Sequence, residues 1–460
     1  MRVRSGVRLA VGALVAASVG FLQVSSAGAA AAVPVPLVTT PPAVGTPWNA
    51  SIEDLNALGV TEQEFFFAGA TTLGPYKSRM LVRTPSDPAR FNGTVIVEWF
   101  NASSLFDAEP DGPALLPLVA RDGYAYVGVT AQQIPIDFLR NRFPDRYGTL
   151  TLTEGGSTQP AALEVFAQAG MALRDDVIRP AGSIDPLAGF DVKRLIATGQ
   201  SQSSTRLTTF VNTIHGAAFE PVYDAFVLNA GGAAPTRFAA PIIKINSENE
   251  APNYFRFRNV ADPSYRVWEV AGADHTPVDA VATILRNLDE VRGVQFPRCP
   301  FPYQGPGGPP STDPVIRTAV VQLDTWLGGG PAAAPSVYID AVASPTNPNV
   351  GVLQRDQYGN STGGVRLPQQ VVPTGRNSPA FACQFTTFPQ WDEFNGNADP
   401  AQDPTDVYTE PASVKALYRN HGGYVSRFGA AVRAAVDSGY LLPADGELMH
   451  TDAAQSDIAK

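Results

Sequence analysis

The residues best suited to chemistry form the run Gly199-Gln200-Ser201-Gln202-Ser203, directly after the apolar stretch Arg194-Leu195-Ile196-Ala197-Thr198. An amphipathic stretch carrying Leu207, Phe210, Val211 and Ile214 follows. A strand that turns sharply into a helix at a serine holds that hydroxyl out on a strained bend, and the positions two before and two after must be small. Gly199 and Ser203 meet that demand. A serine hydroxyl is a poor nucleophile at neutral pH and needs a base within hydrogen-bond reach, itself oriented by an acid. The expected chemistry is nucleophilic attack on an acyl carbon.

The base must be sought among four histidines: His215, His275, His421 and His450. His275 ends the stretch Trp268-Glu269-Val270-Ala271-Gly272-Ala273-Asp274-His275, a strand followed by a short small-residue loop. Chain order serine–acid–histidine and this strand-end position select it as the base. His215 falls at the far end of the helix after Ser201 and should point away. The acid should follow the strand Pro241–Asn246, in Ser247-Glu248-Asn249-Glu250. Glu250 is the first choice and Glu248 the alternative; Asp274, beside the base, shapes its loop. Two backbone N–H donors must hold the oxyanion. Gln202, at the helix N-terminus, supplies one, and Asn101 or Phe100, in the loop after Thr94–Trp99, the other.

These residues need a scaffold. Eight short β-rich runs are visible: Phe65–Ala70, Arg79–Thr84, Thr94–Trp99, Tyr124–Thr130, Arg194–Thr198, Ala225–Asn229, Ile242–Asn246 and Arg266–Ala271. The later ones are continuously apolar, as in parallel strands buried on both faces. Helical patterns over Ala161–Asp175 and Pro314–Leu327 accompany them. The reading is an α/β fold with a mostly parallel eight-stranded sheet flanked by helices, and ligands in such sheets bind at the carboxyl ends of strands. Residues 61–330 form this core and 31–60 an extended N-terminal arm on the surface. Residues 331–460, rich in Pro and Gly/Asn turns, form a C-terminal extension of the same unit, a cap or flank, with helical patterns near Val414–Asn420 and Tyr424–Ala435. Ser201 and Glu250 are close in sequence, which leaves little room for a cap between their strands. A lid should come from loops near 101–113 and 131–160, or from the tail.

The chain resembles the alpha/beta hydrolase domain family of secreted or uncharacterised serine hydrolases with a G-x-S-Q-S elbow. The matching segments are Val97–Asn101, Gly123–Gln132, Gly199–Ser203, Ser247–Glu250, Asp274-His275 and the late Gly359–Pro368, so the resemblance extends from about residue 60 to the C-terminus. It implies the α/β-hydrolase fold and a Ser–His–acid triad. It does not bring a substrate with it.

Composition narrows the rest. The 460 residues carry a formal net charge of −10 with no basic stripe, which disfavours nucleic-acid or anionic-membrane partners. Residues 1–30 read as a secretory signal peptide: Arg2, Arg4 and Arg8, an apolar run Leu9–Leu22, and Ala27-Gly28-Ala29 as the cleavage site. A secreted protein without an integral membrane segment is expected. The two cysteines, Cys299 and Cys383, are expected to form one disulfide. With no zinc-type motif, P-loop or dinucleotide fingerprint, no metal and no cofactor are expected. The functional expectation is a secreted carboxylic ester hydrolase acting on a small-molecule or lipid-like ester. An amidase or acyltransferase using the same triad, or a catalytically silent hydrolase-fold binding or cell-envelope protein, are the alternatives.

Overall fold

β-Branched and aromatic residues pack well on a pleated surface, and each of the eight runs lies largely or wholly within a strand. The computed structural model describes residues 30–155, 160–292, 305–377, 391–394 and 411–460. Among the described residues nine strands form one sheet: β1 (Leu37–Thr39), β2 (Val60–Thr71), β3 (Gly74–Pro85), β4 (Thr94–Trp99), β5 (Ala125–Val129), β6 (Arg194–Gln200), β7 (Ala225–Asn229), β8 (Ile242–Ser247) and β9 (Tyr265–Val270). Their order is β1-β2-β3-β5-β4-β6-β7-β8-β9. The segment from β5 to β9 is parallel throughout, while β1, β2 and β3 run antiparallel at one side.

The count corrects the expected eight strands. The ninth, β1, comes from the N-terminal arm and pairs Leu37 with Ala68. Three residues are too short to show a period in sequence. Nor is the arm a surface feature only: Val33, Val38 and Trp48 are buried, and Trp48 Nε1 donates to Asp107 O at 2.8 Å.

Helices cover both faces. On one, α1 (Gly112–Asp122) and α6 (Asp313–Leu327) place Leu115, Leu118, Val315, Ile316 and Val320 against Ile96, Ile196 and Ile243. On the other, α3 (Pro160–Ala172) and α4 (Gln202–Thr213) bring Phe166, Leu207 and Phe210 against Val97, Trp99 and Leu195. Strand residues alternate between these cores, so the inner strands are buried on both faces and largely apolar. Before α3, α2 (Gln133–Arg142) follows β5; α5 (Ala280–Arg292) follows β9. The helix expected over 161–175 is α3, which ends three residues earlier.

The C-terminal extension closes the free edge of β9. Val337 and Val365 bridge in parallel to Trp268 and Val270, with Glu269 N donating to Val337 O at 3.0 Å and Val365 N to Glu269 O at 2.7 Å. Covering the edge removes a row of unpaired backbone groups. Two small sheets, β10 (Ala341–Ala343) with β11 (Gly351–Leu353) and β12 (Gly375–Asn377) with β13 (Trp391–Glu393), decorate it. The expected late helices are a short turn over Val414–Tyr418 and α7 (His421–Asp437), with α8 (Pro443–Gln455) after them. Asp445 of α8 accepts from Arg317 at 2.8 Å and from Arg121 at 3.0 Å, which ties the tail to α6 and α1. No described helix is long and apolar enough to cross a membrane. Cys299, Cys383 and residues 1–29 of the expected signal segment lie outside the described residues.

Candidate active site

The carboxyl ends of β4, β6, β8 and β9 point the same way, and four loops leave them carrying Asn101, Ser201, Glu250 and His275. Ser201 caps α4 with φ 59° and ψ −117°, in a region that side chains rarely occupy. Such strain costs about 1–3 kcal/mol and must be held by its surroundings. Here close packing holds it. A Cβ on Gly231 would lie 2.2 Å from Ser201 O, and one on Gly199 would lie 3.0 Å from Ser203 Cβ. Ser203, where the elbow pattern ends in glycine, is fully buried and donates its hydroxyl to Phe100 O at 3.2 Å. The departure from glycine thus ties the elbow to the loop after β4.

Ser201 Oγ lies 2.8 Å from His275 Nε2, and His275 Nδ1 lies 2.6 Å from Glu250 Oε1. The second carboxylate oxygen of Glu250 accepts from Ser247 N at 2.8 Å and Ser247 Oγ at 2.7 Å. Burial pushes the Glu250 carboxyl up, but the His275 ring and the Ser247 bonds outweigh it and hold it below the usual value. Burial likewise pulls His275 down, and Glu250, with a smaller effect from Asp274, more than offsets this, so its pKa lies above the usual 6.5. The geometry lines up a hydroxyl, an imidazole whose Nδ1 proton is fixed, and an ionised carboxylate, the set that acyl-transfer chemistry requires.

The other acid, Glu248, faces away from the imidazole into the C-terminal extension, where its Oε1 pairs with Arg355 at 2.7 Å. The remaining histidines lie elsewhere. His215 is buried among Phe210 and Phe226, neither ring nitrogen has a hydrogen-bond partner among the described residues, and burial pulls its pKa to about 4. The ring nitrogens of His421 lie 2.9 Å from Ile458 O and 3.1 Å from Ala454 O, and His450 packs on Gly429 of α7.

The oxyanion expectation needs a correction on one side. Gln202 is the first residue of α4, where N–H groups lack intrahelical acceptors. On the β4 side, however, the amides of Phe100 and Asn101 are already committed, to Val129 O at 3.0 Å and Ala108 O at 2.9 Å. The Asn101 bond belongs to an isolated antiparallel bridge with Ala108. The next amide, that of Ala102, donates to no acceptor among the described residues. Asn101 instead serves through its side chain, donating Nδ2 to Gln200 O at 2.9 Å and accepting from Ser103 N at 2.8 Å.

The family described as alpha/beta hydrolase domain matches residues 31–451. The chain belongs to that family. No curated protein matches this alpha/beta hydrolase in sequence. Among solved structures it is similar to the rice cell wall degrading esterase LipA from Xanthomonas oryzae, at 15% identity over 37% of this chain and 42% of LipA, with a TM-score of 0.24. It is also similar to esterase Est22, at 12% identity over 39% of this chain and 49% of Est22, TM-score 0.26. The matched part spans less than half the length of either protein.

Sequence reasoning missed the groups that hold the hydrolase elbow from beneath. Gln200 Nε2 donates to His275 O at 2.8 Å, so the residue before Ser201 fixes the loop of His275. Asp111, fully buried at the end of the loop after β4, accepts from Thr198 Oγ1 at 2.6 Å and Asn229 Nδ2 at 2.8 Å. Burial pushes its carboxyl up to about 6. Its N–H donates to Glu98 Oε1 at 3.0 Å, and Tyr126 donates to Glu98 Oε2 at 2.6 Å. The sequence signal was present in Gln200, an amide beside Ser201. For Asp111 there was none, because its partners lie on strands about ninety and about one hundred and twenty residues away.

Proposed function

We propose that this alpha/beta hydrolase is an exported serine hydrolase that cleaves carboxylic esters through an acyl-enzyme. The observation that carries the reading is the unbroken line of hydrogen bonds from Ser201 Oγ through His275 to Glu250, 2.8 Å and 2.6 Å long. Ser201 attacks the acyl carbon while His275 Nε2 takes its proton. Glu250 stabilises the imidazolium, which returns the proton to the leaving alkoxide. The N–H groups of Gln202 and Ala102 hold the oxyanion, with the α4 N-terminus favouring the negative charge. Water, deprotonated by His275, then releases the acid. Export rests on the Arg-rich start and the apolar run Leu9–Leu22.

Nitrophenyl esters of graded acyl length, offered to the wild type and to Ser201→Ala, test the reading. Turnover lost in the variant is expected. Full turnover in Ser201→Ala, or none by folded wild type on any ester, overturns it.

A further inference from the structure

The acidic residue that the relay leaves unused is as heavily engaged as the one it uses. Glu248 is buried, and its backbone N–H donates to Ala273 O at 3.0 Å. Its Oε2 accepts from Gly272 N at 2.8 Å and from Ser361 Oγ at 2.5 Å, while Oε1 pairs with Arg355 Nη2 at 2.7 Å. Ser361 is itself held by Gln370 Nε2, which donates to its carbonyl at 3.0 Å. Gly272 adopts φ +75°, and a Cβ there would meet Gln370 Oε1 at 2.2 Å. One carboxylate therefore joins three segments distant in sequence: the loop of the acid, the loop of the base, and the C-terminal extension.

We propose that Glu248 is a positioning residue, a clasp through which Arg355 and Ser361 of the extension hold Glu250 and His275 in register. The proposal rests on the Ser201–His275–Glu250 reading. Glu248 lies two residues before Glu250, and Gly272 three before His275. A displacement of about 1 Å at reacting groups costs about a hundredfold in rate, and the 2.6 Å contact between acid and base leaves little slack. A buried carboxylate persists only with charge and hydrogen-bond partners, so loss of the tail's donors frees both loops together. The extension is thereby a working part of the catalytic centre, although none of its described residues takes part in the relay itself.

The mild perturbation is Arg355→Met, because the Arg355 side chain is a quarter exposed and Glu248 keeps its other donors. The readouts are kcat, KM, the fraction of Ser201 labelled by a fluorophosphonate, and the pH at which kcat/KM rises. Charged groups acting on His275 are Glu250 and Asp274; His275, Lys244 and Glu269 face Glu250. Loss of a nearby cation alone would move the His275 titration up. Loosening the Glu250 contact moves it down, so the sign separates positioning from simple charge. The clasp predicts kcat lower by about tenfold, KM within about twofold, full labelling, and a rising limb at lower pH. Partial rescue is expected in Arg355→Lys. Ser361→Ala, which removes one hydroxyl from the same carboxylate, should show the same pattern more weakly. Unchanged kcat and limb in both variants, or a limb moved upward, overturns the clasp while Ser201→Ala remains dead. Activity surviving in Ser201→Ala overturns the underlying reading instead, and the clasp with it.

Discussion

Replacing Glu250 by glutamine is the sharpest perturbation, because the surroundings dictate which way the new amide turns. Ser247 N–H and Ser247 Oγ–H both donate to Glu250 Oε2, and Ser247 is fully buried. An N–H cannot reverse its role, so the amide oxygen must stay on that side. The amide NH2 then faces His275 Nδ1, which is forced to accept. The ring proton moves to Nε2, where it confronts Ser201 Oγ and cannot receive the hydroxyl proton. Turning the amide the productive way leaves Ser247 N–H buried without an acceptor, at about 1–3 kcal/mol. Loss of the charge-assisted bond to the imidazolium adds about 1.5–3 kcal/mol. The sum, about 2.5–6 kcal/mol, corresponds to a fall in kcat/KM of roughly 10²–10⁴. The assay is nitrophenyl ester hydrolysis across pH, with thermal unfolding run alongside to show that the variant folds. A Glu250→Gln enzyme within tenfold of wild type, with the same pH profile, would refute the assignment of the acid and return attention to Glu248.

Other perturbations test separate links. In the wild type, kcat/KM should rise with pH as His275 loses its proton; because Glu250 outweighs burial and lifts the ring, the midpoint should lie above 6.5, and a midpoint below that value contradicts the electrostatic argument. Gly231→Ala places a methyl 2.2 Å from Ser201 O; the elbow must move, so fluorophosphonate labelling should slow at least tenfold, whereas wild-type labelling would show that the turn is not sterically fixed. Lys244, buried on β8 with Nζ unbonded among the described residues, is pulled by burial from 10.5 to about 7. The unfolded chain binds that proton more tightly, so stability rises with pH between about 7 and 10.5. Lys244→Met should therefore stabilise the protein by about 1–4 kcal/mol near pH 6, with the gain shrinking toward pH 10, as read by denaturant unfolding.

Much of this site was legible because its signals are local. The elbow needs small residues at fixed offsets, and Gly199 and Ser203 supply them. A strand, a short loop and a histidine are contiguous at His275, and chain order ranks it above His215, which the fold buries among aromatic rings. The choice between Glu250 and Glu248 was not local. Both follow β8 within four residues, and what separates them is Arg355 and Ser361, more than a hundred positions away in the tail. The oxyanion side failed for a related reason. Which amide of Phe100, Asn101 and Ala102 is free depends on acceptors at Val129 and Ala108, and a bridge to Ala108 has no signature in a run of three residues. β1 escaped notice because three residues carry no period, although pairing with β2 makes the arm part of the sheet. Long-range polar contacts, such as Asp111 with Thr198 and Asn229, belong to the fold and not to any window of sequence.

The central claim is that Ser201 is the nucleophile and His275 its base. Intact-protein mass spectrometry after treatment with a fluorophosphonate measures it directly, with the adduct mapped by proteolysis. The account predicts one adduct per chain, on Ser201, formed at least a thousandfold more slowly in His275→Ala. An adduct on another residue, or folded wild type that takes up none, contradicts it.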